Sequence, residues 1–190
     1  LSDKYRMPVI ILADGLLGQM MEPIEIQNSK LKAKSYKKPW ALTGCKGRKP
    51  NIIRSLLIEI DKLEMLNNIL QRKYERIKRT ETRFENFYAD DCEIALVAYG
   101  TTGRICKSVV TKLRDEGLMA GLIRPMTLWP FPTDIIKAVA RRAKRIFVIE
   151  MSAGQMVEDV RLSVNGRCPV EFYGRTGGAL PRQNDIIRLI

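Results

Sequence analysis

Two short stretches of the sequence carry residue types that could hold an anion. Tyr99-Gly100-Thr101-Thr102-Gly103-Arg104 offers glycines, hydroxyls and an arginine, and Glu150-Met151-Ser152-Ala153-Gly154-Gln155 offers a carboxylate, a hydroxyl and an amide. Each follows an apolar run of strand type, where a turn would present the unpaired N–H groups of a helix N-terminus to a phosphate or carboxylate. The candidate contacts are Gly100, Thr101, Thr102, Arg104, Glu150, Ser152, Gly154 and Gln155. The same residues also make a plain helix start with a threonine cap and a plain tight turn. Both readings stand at this level.

Other chemistry is restricted by what the chain lacks. It has no histidine, so neither a Ser-His-Asp nor a Cys-His nucleophile can be assembled from its own residues. The cysteines, Cys45, Cys92, Cys106 and Cys168, are scattered, with no Cys-x-x-Cys pair, which points to free thiols in a reducing cytosol rather than a zinc site. Catalytic residues are expected to be none, metal ligands none. A net charge of +12 invites a nucleic-acid reading. The densest basic stretch (Lys30, Lys32, Lys34, Lys37, Lys38, Lys46, Arg48, Lys49) is interleaved with Tyr36 and Trp40, but no recognition helix or RNA-binding signature surrounds it. A solvated linker, or a face docked on an acidic partner, accounts for it better.

The elements that must position the two stretches follow from periodicity. From Glu93 onward, strands at Ile94–Ala98, Met119–Arg124, Ile146–Ile149 and Pro169–Tyr173 alternate with helices whose apolar faces use Ile105, Cys106, Val109, Val110 and Leu113, then Ile135, Ile136, Val139 and Ala140, then Met156, Val157, Val160 and Val164. Thr133 or Asp134 is placed to cap the second helix, and Asp185 to Ile190 forms a terminal one. Strand and helix in alternation give an α/β fold: a three-layer, open, mostly parallel sheet covered on both faces. Between them, Arg124-Pro-Met-Thr-Leu-Trp-Pro-Phe-Pro132 is a stiff apolar loop suited to packing against a neighbouring domain. Tyr173-Gly-Arg-Thr-Gly-Gly178 is a flexible basic turn.

Upstream, Pro8 to Asp14 reads as a continuously apolar buried strand, followed by Gly15 and a short element to residue 27. A lone strand of this kind needs neighbours, so it is expected to close a domain whose remainder lies elsewhere. Leu1 to Met7 do not resemble an initiation site, and a fragment of a longer chain is expected. Residues 28–92 read as linker: polar and punctuated by Pro39, Gly44, Gly47 and Pro50, then helical from Ile53 with Leu56, Leu57 and Ile60, then a second helix capped by Asp61 and carrying Leu63, Leu66, Leu70 and Ile77. No apolar run is long enough to span a bilayer and no signal-peptide layout is present, so a cytoplasmic location is expected.

In order, Ala-Tyr-Gly-Thr-Thr-Gly-Arg, Leu-Ile-Arg-Pro-Met-Thr-Leu-Trp-Pro-Phe-Pro, Ile-Glu-Met-Ser-Ala-Gly-Gln-Met-Val-Glu-Asp-Val-Arg and Tyr-Gly-Arg-Thr-Gly-Gly resemble alpha chains of 2-oxoacid:ferredoxin oxidoreductases. The 2-oxoisovalerate (branched-chain) type is the one most resembled, with pyruvate, 2-oxoglutarate and indolepyruvate enzymes as alternatives. The resemblance implies that residues 93–190 are the transketolase C-terminal-like domain and residues 1–27 the tail of the pyrimidine-binding domain. Thr43-Gly-Cys-Lys-Gly-Arg48 resembles the segment between them.

The activity implied is oxidative decarboxylation of a 2-oxoacid to an acyl-coenzyme A, with electrons passing to ferredoxin. Thiamine diphosphate, magnesium and iron–sulfur clusters belong to the complete complex, with beta (thiamine diphosphate-binding), gamma and ferredoxin-like delta subunits as partners. None of these cofactors is expected on this stretch, which the resemblance makes a supporting and assembly module, inactive alone. Its strand-end turns would then face the missing domain or a partner subunit. Similar chains often carry asparagine where Ser152 stands, a departure at one of the candidate contacts.

Overall fold

A computed structural model describes residues 1–23, 37–54 and 56–190. In chain order its elements are α1 (Ser2–Tyr5), α2 (Ile60–Glu81), β1 (Phe84–Phe87), β2 (Ile94–Val97), α3 (Gly100–Asp115), β3 (Ala120–Pro125), α4 (Thr133–Val139), β4 (Arg145–Glu150), α5 (Met156–Val164), β5 (Val170–Gly174) and α6 (Gln183–Leu189). One turn of 3-10 helix lies at Leu17–Gln19. The chain divides into two units, Leu1–Leu12 with Met20–Arg76 and Ala13–Gln19 with Ile77–Ile190.

In the second unit, the apolar runs of β2, β3 and β4 are buried on both faces, as strands must be when helices cover each side of a sheet. The strand order is β1-β3-β2-β4-β5, with β2, β3, β4 and β5 parallel and β1 antiparallel at one edge. One core layer joins the α4 residues Ile136 and Val139 and the α5 residues Val157 and Val160 to Val97, Ile123, Ile146 and Val148. The other joins the α3 residues Cys106, Val109, Val110 and Leu113 and the α6 residue Ile186 to Leu96, Leu122, Phe147 and Ile149. Each fully buried side chain of this size contributes about 1.5–3 kcal/mol. The three-layer, mostly parallel α/β architecture read from the sequence is the one present.

The sheet reaches further upstream than residue 93. Phe84-Glu-Asn-Phe87 pairs with β3, Phe84 opposite Pro125 and Phe87 opposite Leu122. Its two polar central residues resemble the charged end of the preceding helix, and a short polar strand is what an edge position favours. Glu85 joins Lys107 of α3 and Arg124 of β3 there.

Two upstream expectations are corrected. Pro8 to Asp14 is not a strand: it has no ladder partner among the described residues, and Ile10 and Ile11 are 78% and 91% exposed. An apolar run becomes a strand only when another strand accepts its hydrogen bonds. Residues 24–27, the end of the expected short element, lie outside the described residues, as do Lys30, Lys32, Lys34 and Tyr36 of the basic stretch. The helix expected from Ile53 is also absent at 53, 54 and 56–59, Ser55 lying outside the described residues. Isoleucines 52, 53 and 58 are β-branched and exposed, so neither propensity nor burial favours a turn of helix there.

A single helix, α2, starts at Ile60 with Asp61 in its first turn. Its apolar stripe is buried only towards its end, at Ile77, while Leu63, Met65 and Ile69 stay exposed.

Within the first unit, α1 is tied down by its own surroundings. Tyr5 is buried, its carbonyl accepts a bond from Lys73 Nζ at 3.1 Å, Arg6 stacks on Trp40 at 4.8 Å, and Lys38 pairs with Asp3 at 2.9 Å. Residues 37–52 form neither helix nor strand, as their glycines and prolines lead one to expect.

Candidate functional site at the ends of the central strands

Strands β2 and β4 are neighbours, yet the helices that follow them leave on opposite faces, α3 into one core layer and α5 into the other. Strand order reverses direction here. In an open parallel sheet the carboxyl ends at such a reversal form the crevice where ligands bind. Both candidate stretches lie at this point.

Gly100-Thr101-Thr102-Gly103 is not a free turn but the first turn of α3, with Tyr99 as N-cap. No side-chain bond from the N-cap closes the helix; a carboxylate from far upstream does. Asp14 Oδ2 accepts from Thr101 N–H at 3.2 Å and Asp14 Oδ1 from the Thr101 hydroxyl at 3.0 Å. The same Oδ1 accepts from Leu17 N–H at 2.9 Å, so the turn after Asp14 is tied into the arrangement. Gly100 makes the approach feasible: its φ is +57°, and a Cβ there would lie 3.1 Å from Asp14 Oδ2. Burial raises the Asp14 carboxyl, but the bonds from Leu17 and Thr101 outweigh it and hold the group below the usual carboxylate range. Thr102, expected as a candidate cap, donates instead to its own N-cap carbonyl, Tyr99 O, at 2.6 Å. Arg104 is exposed on α3.

The second stretch closes on itself. Glu150, the last residue of β4, is fully buried. Its carboxylate accepts from Met156 N–H at 3.0 Å, Val157 N–H at 2.9 Å and Gln155 N–H at 3.2 Å, which are the leading amides of α5. The Ser152 hydroxyl donates to it at 3.0 Å and in turn accepts from Gly154 N–H at 3.1 Å. Gly154, at φ +108°, gives the loop its reversal. The turn is pressed onto β5, where a Cβ on Gly174 would run into the Ser152 carbonyl and the Phe172 ring. Gln155 contributes its backbone, and its residue is exposed.

The expected anion at each helix start is therefore the protein's own. A full negative charge against first-turn N–H groups is favourable on dipole grounds and satisfies donors that would otherwise be orphaned. An external phosphate would have to displace Asp14 at α3 and Glu150 at α5. Between them sits Tyr99, half-buried, its phenol pushed above the ordinary range by burial first and then by the charges of Glu150 and Asp14. Sequence reasoning named neither Asp14 nor Tyr99 as a site residue. Asp14-Gly15 signals only a turn, and nothing in one sequence links it to a residue 87 positions on.

The proline-rich loop faces two ways. Leu128 and Phe131 pack against the core, and Thr127 bonds Arg83 N–H at 3.0 Å and the Pro130 carbonyl at 2.7 Å, while Met126 and Trp129 are exposed. Trp129-Pro130 is a cis peptide. The helix after this loop starts at Thr133 with Pro132 as N-cap and no side-chain cap bond, so neither Thr133 nor Asp134 takes the capping role expected of it. Of the cysteines, Cys92 and Cys106 are buried, and burial pushes the Cys106 thiol up to about 12. Among the described residues no three His, Cys, Asp or Glu side chains converge to hold a metal ion, and no helix is long and apolar enough to cross a membrane.

Residues 92–186 match the family model described as pyruvate:ferredoxin oxidoreductase core domain II. The ketoisovalerate oxidoreductase subunit VorB of Methanothermobacter thermautotrophicus is 41% identical over 190 residues, which is 100% of this chain and 53% of that protein. The 2-oxoglutarate synthase subunit KorA of Methanocaldococcus jannaschii is 29% identical over 210 residues, 100% of this chain and 57% of that one. The chain thus spans about half the length of the curated relatives it matches. Among solved structures, a 2-oxoglutarate:ferredoxin oxidoreductase from Magnetococcus marinus superposes with a TM-score of 0.62 over 70% of this chain and 23% of that one. At 18% identity this likeness bears on the fold alone.

Proposed function

This chain belongs to the pyruvate:ferredoxin oxidoreductase core domain II family, and from that premise we propose that it is the C-terminal portion of the alpha chain of a thiamine diphosphate-dependent 2-oxoacid:ferredoxin oxidoreductase. The 2-oxoacid is 2-oxoisovalerate, the product an acyl-coenzyme A, and ferredoxin the electron acceptor. The complex acts in the cytoplasm, with beta, gamma and ferredoxin-like delta subunits as companions. What supports the substrate is the 41% identity to the ketoisovalerate oxidoreductase subunit, against 29% to the 2-oxoglutarate synthase subunit. In this reading residues 1–27 are the end of the pyrimidine-binding domain, residues 28–92 the link, and residues 93–190 the transketolase C-terminal-like domain.

The role of this stretch is to support and assemble. In the complete enzyme thiamine diphosphate supplies the carbanion chemistry and clusters carry the electrons. The donors present here do not fit either group. Cluster ligation needs an array of thiolates, and the four cysteines are spread over an exposed loop, two buried positions and one half-buried position. A diphosphate needs free N–H groups or cations at a helix start, and at α3 the Thr101 N–H is taken by Asp14 while at α5 the Gln155, Met156 and Val157 N–H groups are taken by Glu150. That self-satisfaction of both helix starts is the observation that carries the reading. No reaction step is assigned to these residues.

The strand-end turns, with Arg104 and Gln155 exposed at their rims, face a neighbouring domain or subunit. The test is to purify the full-length chain from its source, identify what accompanies it, and repeat with Arg104→Ala and Gln155→Ala combined. Companion thiamine-binding and cluster-binding subunits are expected, with lowered turnover or altered subunit stoichiometry in the variant. Purification without companions would refute the complex, and unchanged turnover with intact stoichiometry would refute the interface.

A further inference from the structure

The basic turn after β5 belongs to neither capped helix start. From Phe172 to Asn184 the chain carries two arginines, Arg175 and Arg182, and no carboxylate. The turn is closed by Ala179 N–H donating to the Thr176 carbonyl at 3.2 Å, with Gly177 and Gly178 at φ +64° and +80°. Those are the φ values of a type I′ turn, whose usual work is to fold one strand back on another in a hairpin. There is no hairpin here, since the turn lies between β5 and α6. Packing does not ask for the glycines either: a Cβ on each would meet open space. What the left-handed pair does achieve is to keep its own N–H groups outside the bond that closes the turn.

The segment is held at both ends. Gly174 is pressed under the Ser152 carbonyl and the Phe172 ring, and Arg175 N–H donates to the Glu150 carbonyl at 3.0 Å. At the far end Pro181 is buried and Gln183 Nε2 donates to the Ser108 carbonyl at 3.3 Å. Between these anchors Arg175, Thr176, Gly177, Gly178 and Arg182 are exposed. Among the described residues neither guanidinium meets a carboxylate, and the N–H groups of Thr176, Gly177 and Gly178 meet no acceptor. Glu150 turns its carboxylate onto the α5 start instead, and Glu171 pairs with Arg145 at 3.5 Å. Donors already fixed by their backbone lose little freedom on binding, and guanidinium forks match carboxylates in pairs. Leu180, exposed in the chain between the arginines, adds an apolar contact. A small ion needs enclosure, and this turn stands open, so the occupant must bring a surface of its own. Phe172 and Tyr173 pack against the core layers, so no ring is offered to stack a base.

We propose that the turn from Arg175 to Arg182 docks an acidic segment of a partner protein chain, its carboxylates taken by the two guanidinium groups and the Gly177 and Gly178 N–H groups. This rests on the assembly role above and adds to it the chemistry of the partner. The test uses the complex purified through the full-length chain. Arg175→Glu combined with Arg182→Glu should weaken retention of one companion on the order of tenfold or more, and the wild-type contact should weaken as salt is raised. Lys137→Glu, on α4, should leave retention unchanged. Labelling of the wild type with phenylglyoxal needs no variant and decides if the double variant fails to fold: Arg175 and Arg182 should react in the full-length chain expressed alone and be protected in the complex. Hydrogen exchange should find the matching protected segment of the companion rich in Asp and Glu. Purification without any companion sinks the assembly role and this proposal together. Companions present with both arginines labelled as fast as in the lone chain overturn this proposal only, as does an apolar protected segment. Protection of the arginines by a single-stranded oligonucleotide and not by the companions would make the turn a nucleic-acid contact, and would overturn it as well.

Discussion

The starts of α3 and α5 solve one problem in two ways. Each helix begins at the carboxyl end of a central strand, and each has a carboxylate at its start, accepting from one leading N–H at α3 and from three at α5. For α5 that carboxylate is Glu150, six residues before Met156 and fully buried, so strand, turn and cap form one local piece. For α3 it is Asp14, 87 residues before Thr101 and only partly buried, in a segment with no helix or strand of its own beyond one 3-10 turn. A local cap forms whenever its turn forms. A remote cap is conditional on a second segment docking, and that docking carries an ordering cost of its own. The α5 start is thus a fixed part of the core, and the α3 start is the place where the state of the upstream segment is felt.

The largest effect that can break this comparison is loss of Glu150. Glu150→Ala leaves three N–H groups and the Ser152 hydroxyl without their acceptor in a buried setting, a cost of about 3–5 kcal/mol. Denaturant unfolding of the chain measures it, and a loss comparable to that of an exposed cap would show that the buried carboxylate is not what organises the turn. Gly174→Ala comes next. It forces a methyl into the Ser152 carbonyl and the Phe172 ring and should destabilise by about 1–3 kcal/mol, read by the same unfolding curve.

Asp14→Ala should cost less, about 0.5–2 kcal/mol, the range of an N-cap. Its sharper signature is kinetic: amide exchange at Thr101 and Leu17 should accelerate while that at Met156 and Val157 does not. The pH dependence has a definite sign. Asp14 has a folded value held below the ordinary one, so its stabilisation is present above the unfolded carboxyl value of about 3.9 and is lost as the pH falls below that towards the folded value. The Asp14→Asn variant should lack this acid-side loss.

The smallest effect concerns Tyr99. Its phenol should titrate above the ordinary value of about 10, and Asp14→Asn should bring it part of the way back, because burial and Glu150 remain. Absorbance titration of the phenolate checks both, and a Tyr99 unmoved by Asp14→Asn would place the two groups further apart than the structure does.

The sheet after residue 93 was legible because its strands are continuous apolar runs and its helices repeat apolar residues at a period of 3.6. The two functional-looking stretches were legible for the same reason, since they follow directly on strands. What fills them was not. Glu150 was named, but as a candidate contact for an outside anion or partner; that its charge is turned inward onto Gln155, Met156 and Val157 depends on backbone geometry that composition does not express. Asp14 is a tertiary partner, invisible to any local pattern. Phe84–Phe87 was hidden because an edge strand is short and polar by necessity. Pro8 to Asp14 misled in the opposite sense: its composition is that of a buried strand, while burial and pairing depend on residues beyond its own sequence.

Both helix starts hold the protein's own carboxylates, Asp14 at α3 and Glu150 at α5, and cradle no external diphosphate. Following backbone amide resonances of the chain while inorganic pyrophosphate is added tests it most directly. Thr101, Gln155, Met156 and Val157 should stay where they are throughout. A saturable displacement of these resonances would contradict the account.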